Sequence, residues 1–524
     1  MGLEHYQLVN SSIPPNHYKL PEHKIFVKTK YDEELALGHI SPGYPPDILK
    51  SWIGHIRAAP LNVIVQPGGK LCVTVDHSYP RSTIPTTAPA PDYLDYIPFD
   101  PVIHSVNAII DSKQFQCMWG TFSQCYLMVA NALPGTEAAV FDVDAAFRNI
   151  PTHPSICLFL AVSLSGSIHL DHCLNFGASP CPGVWGRIAD AMVDIFHAKG
   201  ITSVIKWVDD FVFFRYPLPN SSDGTPQFLY DETQLWNIAE PLGWPWSPKK
   251  CFPFATTFAY IGFSWNLITK TVSLPDAKKT KYLLKLTHWT PTFKPTCEEI
   301  ESLIGTFNHI NLILPEGKTW MIHLYKLRAS FHHARSHWTQ YRLSAATLED
   351  LSWWCSKLQE PFIGLQVITP PAPSDDRLYV DTSTSWGIGI LLNGRWLAWQ
   401  LQTHWESNGH NIGWAEMVAV KLALHALVAD GYHHTHILIH SDNQGVVHSV
   451  HAGHSRGCQQ NAILRHIVGL MQDHSIWLTT EWISTHDNPT DPLSRGIFPS
   501  TSTSKRLANR PALPSHLSPY LTTV

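Results

Sequence analysis

The chain has 524 residues and a net charge of −5, with 44% hydrophobic and 15% charged residues. That length exceeds what one core supports, so two or three domains are expected, in a folded, soluble protein. The mild negative charge argues against a nucleic-acid partner unless basic residues cluster locally. No apolar run reaches the roughly 20 residues of a membrane span. The opening MGLEHYQLVN lacks the basic start and apolar core of a secretory signal, and Tyr6 breaks the myristoylation pattern. An intracellular protein, nuclear or cytoplasmic, neither secreted nor membrane-bound, is therefore expected. Ten cysteines without a CxxC pair read as reduced thiols, not a disulfide frame or a zinc site. In such a protein the Asn-x-Ser matches at Asn10 and Asn220 carry no weight.

Residues 1–55 are rich in Pro and His and show little periodicity, an N-terminal extension. From 56 to 275 short strands alternate with helical stretches. SICLFLAVSLSGSIHL reads as two buried strands, and GRIADAMVDIFHAKG as a helix with Ile188, Met192, Ile195 and Phe196 on its apolar face. VIKWVDDFVFF predicts a β-hairpin with Asp209 and Asp210 at its tip. Residues 276–368 are mainly helical, with EEIESLIGTFNHINLIL and TLEDLSWWCSKLQ the best segments. PPAPSDD, around 369–375, reads as a linker. Over 376–496, RLYVDTSTSWGIGILLNGRWLAWQL predicts a strand meander with Asp381 early in its first strand. GWAEMVAVKLALHALVAD predicts an amphipathic helix with Met417, Val420, Leu424 and Leu427 on one face, and Glu416 near its start. HILIHSDNQGVV is a strand ending at Asp442, and the Ser-, Thr- and Pro-rich tail 497–524 reads as disordered.

The acids carry the chemistry. An isolated Asp-Asp pair reads as an ordinary polar turn. Two like charges in an apolar ribbon are nevertheless costly unless a divalent cation offsets them. A second cluster, Phe141-Asp142-Val143-Asp144, lies upstream in the same strand-like setting. Strands bringing Asp142, Asp209 and Asp210 to one point would suit two-metal phosphoryl transfer. Hard oxygen ligands favour Mg²⁺ or Mn²⁺.

Here the chain resembles reverse transcriptases, motif by motif and in order. FDVDAAF resembles the first polymerase motif, with Asp142 as metal ligand and Phe147 at the residue that excludes the ribose 2′-hydroxyl; plain core packing is the other reading of Phe147. NFGASPCPGVW resembles the motif that packs against template and incoming nucleotide, through Phe176 and Gly177. WVDD resembles the YxDD hairpin, with Trp207 in place of Tyr, Asp209 the principal ligand and Asp210 its partner. LGWPWSPKKC puts Lys250 at the family's conserved lysine, which implies a nucleotide-binding role, and FAYIGF puts Tyr260, Ile261 and Gly262 at the primer grip. GGKLCVTVDHSYPR resembles the fingers segment, but Cys72 stands where the triphosphate-binding Arg is expected, leaving Lys70 and Arg81 for the phosphates.

The C-terminal acids resemble the ribonuclease H pattern of retroelements, with SDNQGVV and NPTDPLSRG the most specific matches. Asp381, Glu416, Asp442 and Asp491 take the places of its metal ligands. The resemblance implies two-metal hydrolysis of RNA paired with DNA, recognised by shape and 2′-hydroxyls. His486 reads as a loop residue and not a proton shuttle, and His433, His434 and His436 as a solvated turn and not a metal site. The helical stretch between the acid sets is similar to the thumb and connection of DIRS-type retroelements and their fungal relatives. Its cations, Lys278, Lys279, Lys281 and Lys285, then Lys326, Arg328, Arg335 and Arg342, would track a nucleic-acid backbone or form a solvated helix face.

The implied fold is α/β of the α+β type. A right-hand polymerase with fingers and palm over 56–275 and thumb or connection over 276–368 precedes a ribonuclease H-like domain with a mixed five-stranded sheet. The implied partners are an RNA template, a DNA primer, RNA–DNA hybrid and dNTPs, with no membrane. Two other readings stay open: a decayed or domesticated copy that only binds nucleic acid, and a chain that keeps only the ribonuclease H activity.

Overall fold

The strand EAAVFD, Glu137–Asp142, is buried along nearly its whole length, as a continuous apolar run at the middle of a sheet should be. In the computed structural model, which describes residues 3–65, 69–81, 95–219, 226–333, 336, 338–500 and 505–524, it lies inside a four-stranded antiparallel sheet. The order is Phe252–Ala255, Glu137–Asp142, Asp210–Arg215, Val204–Trp207. The chain as a whole is a mixed α+β structure. It divides into two compact units, 1–128 with 132–261, and 129–131 with 262–524.

In the first unit the helix Cys181–Ala198 buries Met192 and Phe196, and Phe196 meets Phe213 edge-on at 4.8 Å. Ile188, expected on that apolar face, is exposed instead. The two strands read from SICLFLAVSLSGSIHL are present as Ala161–Leu164 paired antiparallel with Ser167–His169. Residues 1–55 are far from formless. The helices Pro21–Ala36 and Pro46–Ile53 each carry Pro in the first turn, where its missing N–H is not needed, so these prolines start helices and do not break them. Val27 and Tyr31 of the first helix pack against Leu61 and Val63 in the hairpin formed by Leu61–Val65 and Leu71–Val75.

The second unit begins earlier than the expected boundary at 275. Phe263–Asn266 pairs with Thr271–Ser273, which pairs with Gly364–Gln366, so residues 263–273 are tied to the helical stretch that follows. That stretch includes the helices Asp276–Leu286, Cys297–Ile310, Ile322–Ser330 and Ala345–Gln359. A capping box of Thr296 and Glu299 starts the second of these.

Beyond it lies a six-stranded mixed sheet in the order Ile476–Trp482, Thr435–Ser441, Ser374–Thr382, Gly387–Leu392, Arg395–Leu401, Leu521–Thr523. The first three strands are parallel and the remaining pairings antiparallel. Five strands match the expected set, and the sixth corrects it. Leu521–Thr523 comes from the tail read as disordered, and Leu507 and Leu517 are buried in the same core. The first strand starts at Ser374, inside the expected linker, so Asp381 is its penultimate residue and not an early one. The helix Ile412–Ala429 is not amphipathic. The sheet, the helix Cys458–Asp473 and the tail cover it, so its residues from Trp414 to Leu424 are all buried, and Lys421 Nζ donates to His516 Nε2 at 2.5 Å. By length and composition this helix, unlike the expectation of no such run, is apolar enough to cross a membrane; 78% of it is buried inside the fold. Arg335 and Asn220 lie outside the described residues.

Candidate active sites

In the first unit, antiparallel register sets Asp210 opposite Asp142 on one side and opposite Trp207 on the other. Val208 and Asp209 form the two-residue turn, so Asp209 sits at the hairpin tip and Asp210 opens the returning strand. Val208 holds φ 53°, a left-handed conformation that a β-branched residue resists. Two bonds hold it there. The Trp185 indole Nε1 donates to the Val208 carbonyl at 2.7 Å, and the Val143 N–H donates to the Asp209 carbonyl at 2.9 Å. The indole thus converts a buried core side chain into a brace for the turn.

Burial raises the Asp209 carboxyl above its ordinary value, with the Asp142 charge adding to it. Burial pushes Asp210 up to about 6, and the charges of Asp209 and Asp142 contribute. One cation opposes this: Lys250 Nζ donates to Asp142 Oδ1 at 2.8 Å. Lys250, expected against the nucleotide, is therefore the ion-pair partner of an expected metal ligand.

The other residues of this set fall in several places. Phe147 is buried in the core beside Phe141 and Trp185, which is the packing reading of that residue, and its ring meets exposed Phe176 edge-on at 4.7 Å. Gly177 has φ +116°, and a Cβ there would lie 2.0 Å from the Val75 carbonyl oxygen, so only glycine fits. This close approach locks the Phe176–Gly177 turn to the Leu71–Val75 strand that carries Cys72. Beneath it, the Arg57 guanidinium donates to His77 Nδ1 at 3.1 Å, and His77 Nε2 faces Asn175 Oδ1 at 3.0 Å. Burial and Arg57 lower the His77 pKa to about 3, so the ring is neutral, accepting at Nδ1 and donating at Nε2. Lys70 is exposed, and Arg81 pairs with Asp76 at 3.0 Å. Tyr260 is buried and donates to the Gly120 carbonyl at 2.9 Å, followed by left-handed Ile261 (φ 43°) and Gly262 (φ 82°).

In the second unit, Asp381, Glu416 and Asp442 come together: one oxygen from each lies within 4.8 Å of the other two. Among the described residues this is the carboxylate trio whose oxygens gather that closely. Asp381 comes from the central strand Ser374–Thr382, Glu416 from the core helix, and Asp442 from just beyond Thr435–Ser441, the parallel neighbour of the Asp381 strand. Burial raises Asp381 to about 6, opposed by the Ser494 hydroxyl, which donates to its Oδ2. Burial lifts Glu416 far more, with Asp381 and Asp442 adding, and its Oε2 is buried with no hydrogen-bond partner. A buried carboxylate oxygen without a donor is an open ligand position. Asp491 opens the short helix Asp491–Ser494 and is held by Arg495, whose Nη2 lies 2.8 Å from Oδ1; it stands outside the trio.

His486 is fully exposed in a short turn. Among the histidines read as a turn, His436 instead lies in a strand, bonded to the Pro371 carbonyl and Thr479 Oγ1. Ser494 and Asn488, which donates to the Val380 carbonyl at 3.1 Å, position the Asp381 strand. Both lie in NPTDPLSRG, where the motif pointed only to Asp491. Trp185 carried no signal in the sequence beyond its place in a motif.

No protein-family model and no curated protein matches this chain. Among solved structures, it is similar to the foamy viral protease–reverse transcriptase in complex with an RNA/DNA hybrid, at 16% identity and a TM-score of 0.48, covering 97% of this chain. The chain spans 58% of the length of that protein. A second form of the foamy viral enzyme, in complex with double-stranded DNA, is 16% identical with a TM-score of 0.45, covering 91% of this chain and 89% of the other.

Proposed function

We propose that the chain is an RNA-directed DNA polymerase with a fused ribonuclease H, of retroelement origin. The observation that carries this reading is that each compact unit holds its own acid set on adjoining strands of its own sheet: Asp142 and Asp210 with Asp209, and Asp381 and Asp442 with Glu416. The domain assignments follow it. Fingers and palm would lie in 56–261, the thumb or connection in 262–368, and the ribonuclease H-like domain from 374 into the tail. The narrower affinity to DIRS-type elements and fungal relatives rests on the helical stretch alone.

Mg²⁺ or Mn²⁺ suits both sets, because every ligand is a hard carboxylate oxygen and Glu416 Oε2 is buried without a donor. When bound, such ions supply activation of the attacking oxygen and charge neutralisation at the phosphate. Asp381, Glu416, Asp442 and Asp491 would hold them in the nuclease, and Asp142, Asp209 and Asp210 in the polymerase. Ser494 keeps Asp381 aimed at the site, and Trp185 fixes the turn that presents Asp209. Lys70 and Lys250 remain the candidates for the nucleotide phosphates, with Phe176, backed by buried Phe147, and Gly177 forming the floor of the nucleotide site and Tyr260, Ile261 and Gly262 gripping the primer.

The reading in which only the nuclease works is favoured by two observations, Cys72 in place of an arginine and Lys250 closed onto Asp142. The purified chain, given Mg²⁺ or Mn²⁺, should extend a DNA primer on an RNA template and separately cleave the RNA of a hybrid. Cleavage without extension selects the nuclease-only reading. Hybrid binding with neither activity selects the decayed or domesticated copy.

A further inference from the structure

Away from both acid sets, the second unit gathers a thiol, an imidazole and a carboxylate from three separate elements. Cys458 is the first residue of the 16-residue helix Cys458–Asp473, whose N-cap is Gly457 and whose first turn has no side-chain cap. Its Sγ lies 3.5 Å from His323 Nε2 and 2.7 Å from Lys326 Nζ, both on the helix Ile322–Ser330. His323 Nδ1 is 2.9 Å from Asp350 Oδ2. Asp350 is fully buried, and Arg465 Nη2 holds its other oxygen at 2.7 Å. A carboxylate accepts from Nδ1–H, so the Asp350 bond leaves Nε2 as the basic nitrogen, facing the sulfur. This is the arrangement of an activated nucleophile: a thiol, a base within reach, and a third group orienting the base.

The surroundings add a ligand chemistry. Lys326, which donates to the thiol, also lines a cavity of about 380 Å³, and Lys318, His454 and Arg456 contribute to its wall together with Ile322 and Tyr325. At Cys117, Cys251, Cys297 and Cys355, four of the five other partly exposed cysteines, burial pushes the thiol up.

We propose that Cys458 is a modification site that undergoes thiol–disulfide exchange with a small disulfide bearing carboxylates. His323 Nε2 takes the thiol proton, and the Cys458 sulfur attacks one sulfur of the disulfide. A new S–S bond forms as the old one breaks. Cys458 is oxidised, and the departing half is reduced and leaves as a thiol carrying the proton from His323. Lys326 and the open N–H groups of the helix start offset negative charge on the attacking sulfur. The cationic cavity holds the carboxylates of the half that stays.

The test exposes the intact chain to oxidised glutathione and, separately, to neutral 2-hydroxyethyl disulfide, with adducts located by peptide mass spectrometry. Cys458 should react about 10-fold or more faster than Cys72 or Cys355, and faster with the charged disulfide than with the neutral one. Lys326→Met and His323→Gln should each slow it about 10-fold while leaving the rate at Cys72 unchanged. Arg456→Met should remove only the preference for charge. A rate at Cys458 no higher than at Cys355, or unchanged in both variants, would overturn the proposal. Equal rates with the two disulfides would overturn the ligand class. Circular dichroism of each variant confirms that the fold persists.

Discussion

The two acid sets solve one electrostatic problem in opposite ways. In the first unit Asp209 sits at a hairpin tip, Asp210 and Asp142 oppose each other on adjoining strands, and Lys250 supplies a counter-charge to Asp142. In the second unit Asp381 and Glu416 are buried, Glu416 on a helix covered by the sheet and its neighbours, and Arg495 pairs with Asp491. A carboxylate cluster with its own lysine can stand without metal. One without a lysine is held in place by the fold at a cost to stability, a mark of a site built for an incoming cation.

The sharpest way to break that contrast is Asp381→Asn. Hybrid cleavage should fall on the order of 10³-fold, the scale of several kcal/mol of metal-assisted stabilisation, with primer extension unchanged. A fall in both activities would mean that the sites are not separate. Glu416→Gln comes next. It should raise the stability of the metal-free chain at neutral pH by about 1–3 kcal/mol, because the fold no longer has to bury a carboxylate or take up a proton to neutralise it. The same variant should lose the stabilisation that Mn²⁺ gives the parent, which would be about 2.7 kcal/mol at a hundredfold excess over Kd. Mn²⁺ stabilising both chains equally would contradict a cation site at Glu416.

The third prediction concerns pH. The folded pKa of Asp381 is raised to about 6 and that of Glu416 is raised further, so between the unfolded and folded values the native state binds more protons. Stability of the metal-free chain should therefore be greatest at low pH within this window. It should decline as pH rises from about 4 through 6, with each such carboxyl contributing a slope of at most about 1.4 kcal/mol per pH unit. Asp210 adds to the same trend. Denaturant midpoints across that range, with EDTA present, measure it, and Glu416→Gln should flatten the slope. The smallest effect belongs to Lys250→Met. The pair is largely solvent-exposed on the lysine side, so stability should change by less than about 1 kcal/mol. Mn²⁺ should nonetheless now stabilise the first unit more than it does in the parent, and an unchanged response would remove Lys250 from the contrast.

Local pattern made much of this legible. The hairpin at Asp209, the Glu137–Asp142 strand and the three-strand meander all announce themselves by alternating or continuous apolar residues between turns. What failed to show depended on distant neighbours. The helix Ile412–Ala429 reads as one-faced until the tail, nearly a hundred residues later, covers another side. The tail itself reads as disordered because its Ser and Pro residues mask Leu507, Leu517 and Leu521, the ones that pack. Ion pairs such as Lys250 with Asp142 join residues 108 apart, and the Cys458–His323 contact joins residues 135 apart, with no spacing rule to reveal either.

Separate sites make a reciprocal demand, and one paired assay tests it. Asp209→Asn and Asp442→Asn are each measured for primer extension on an RNA template and for hybrid cleavage in Mg²⁺ or Mn²⁺. Asp209→Asn should lose extension and keep cleavage, and Asp442→Asn should do the reverse. Equal loss of both activities in either variant would contradict two independent metal centres.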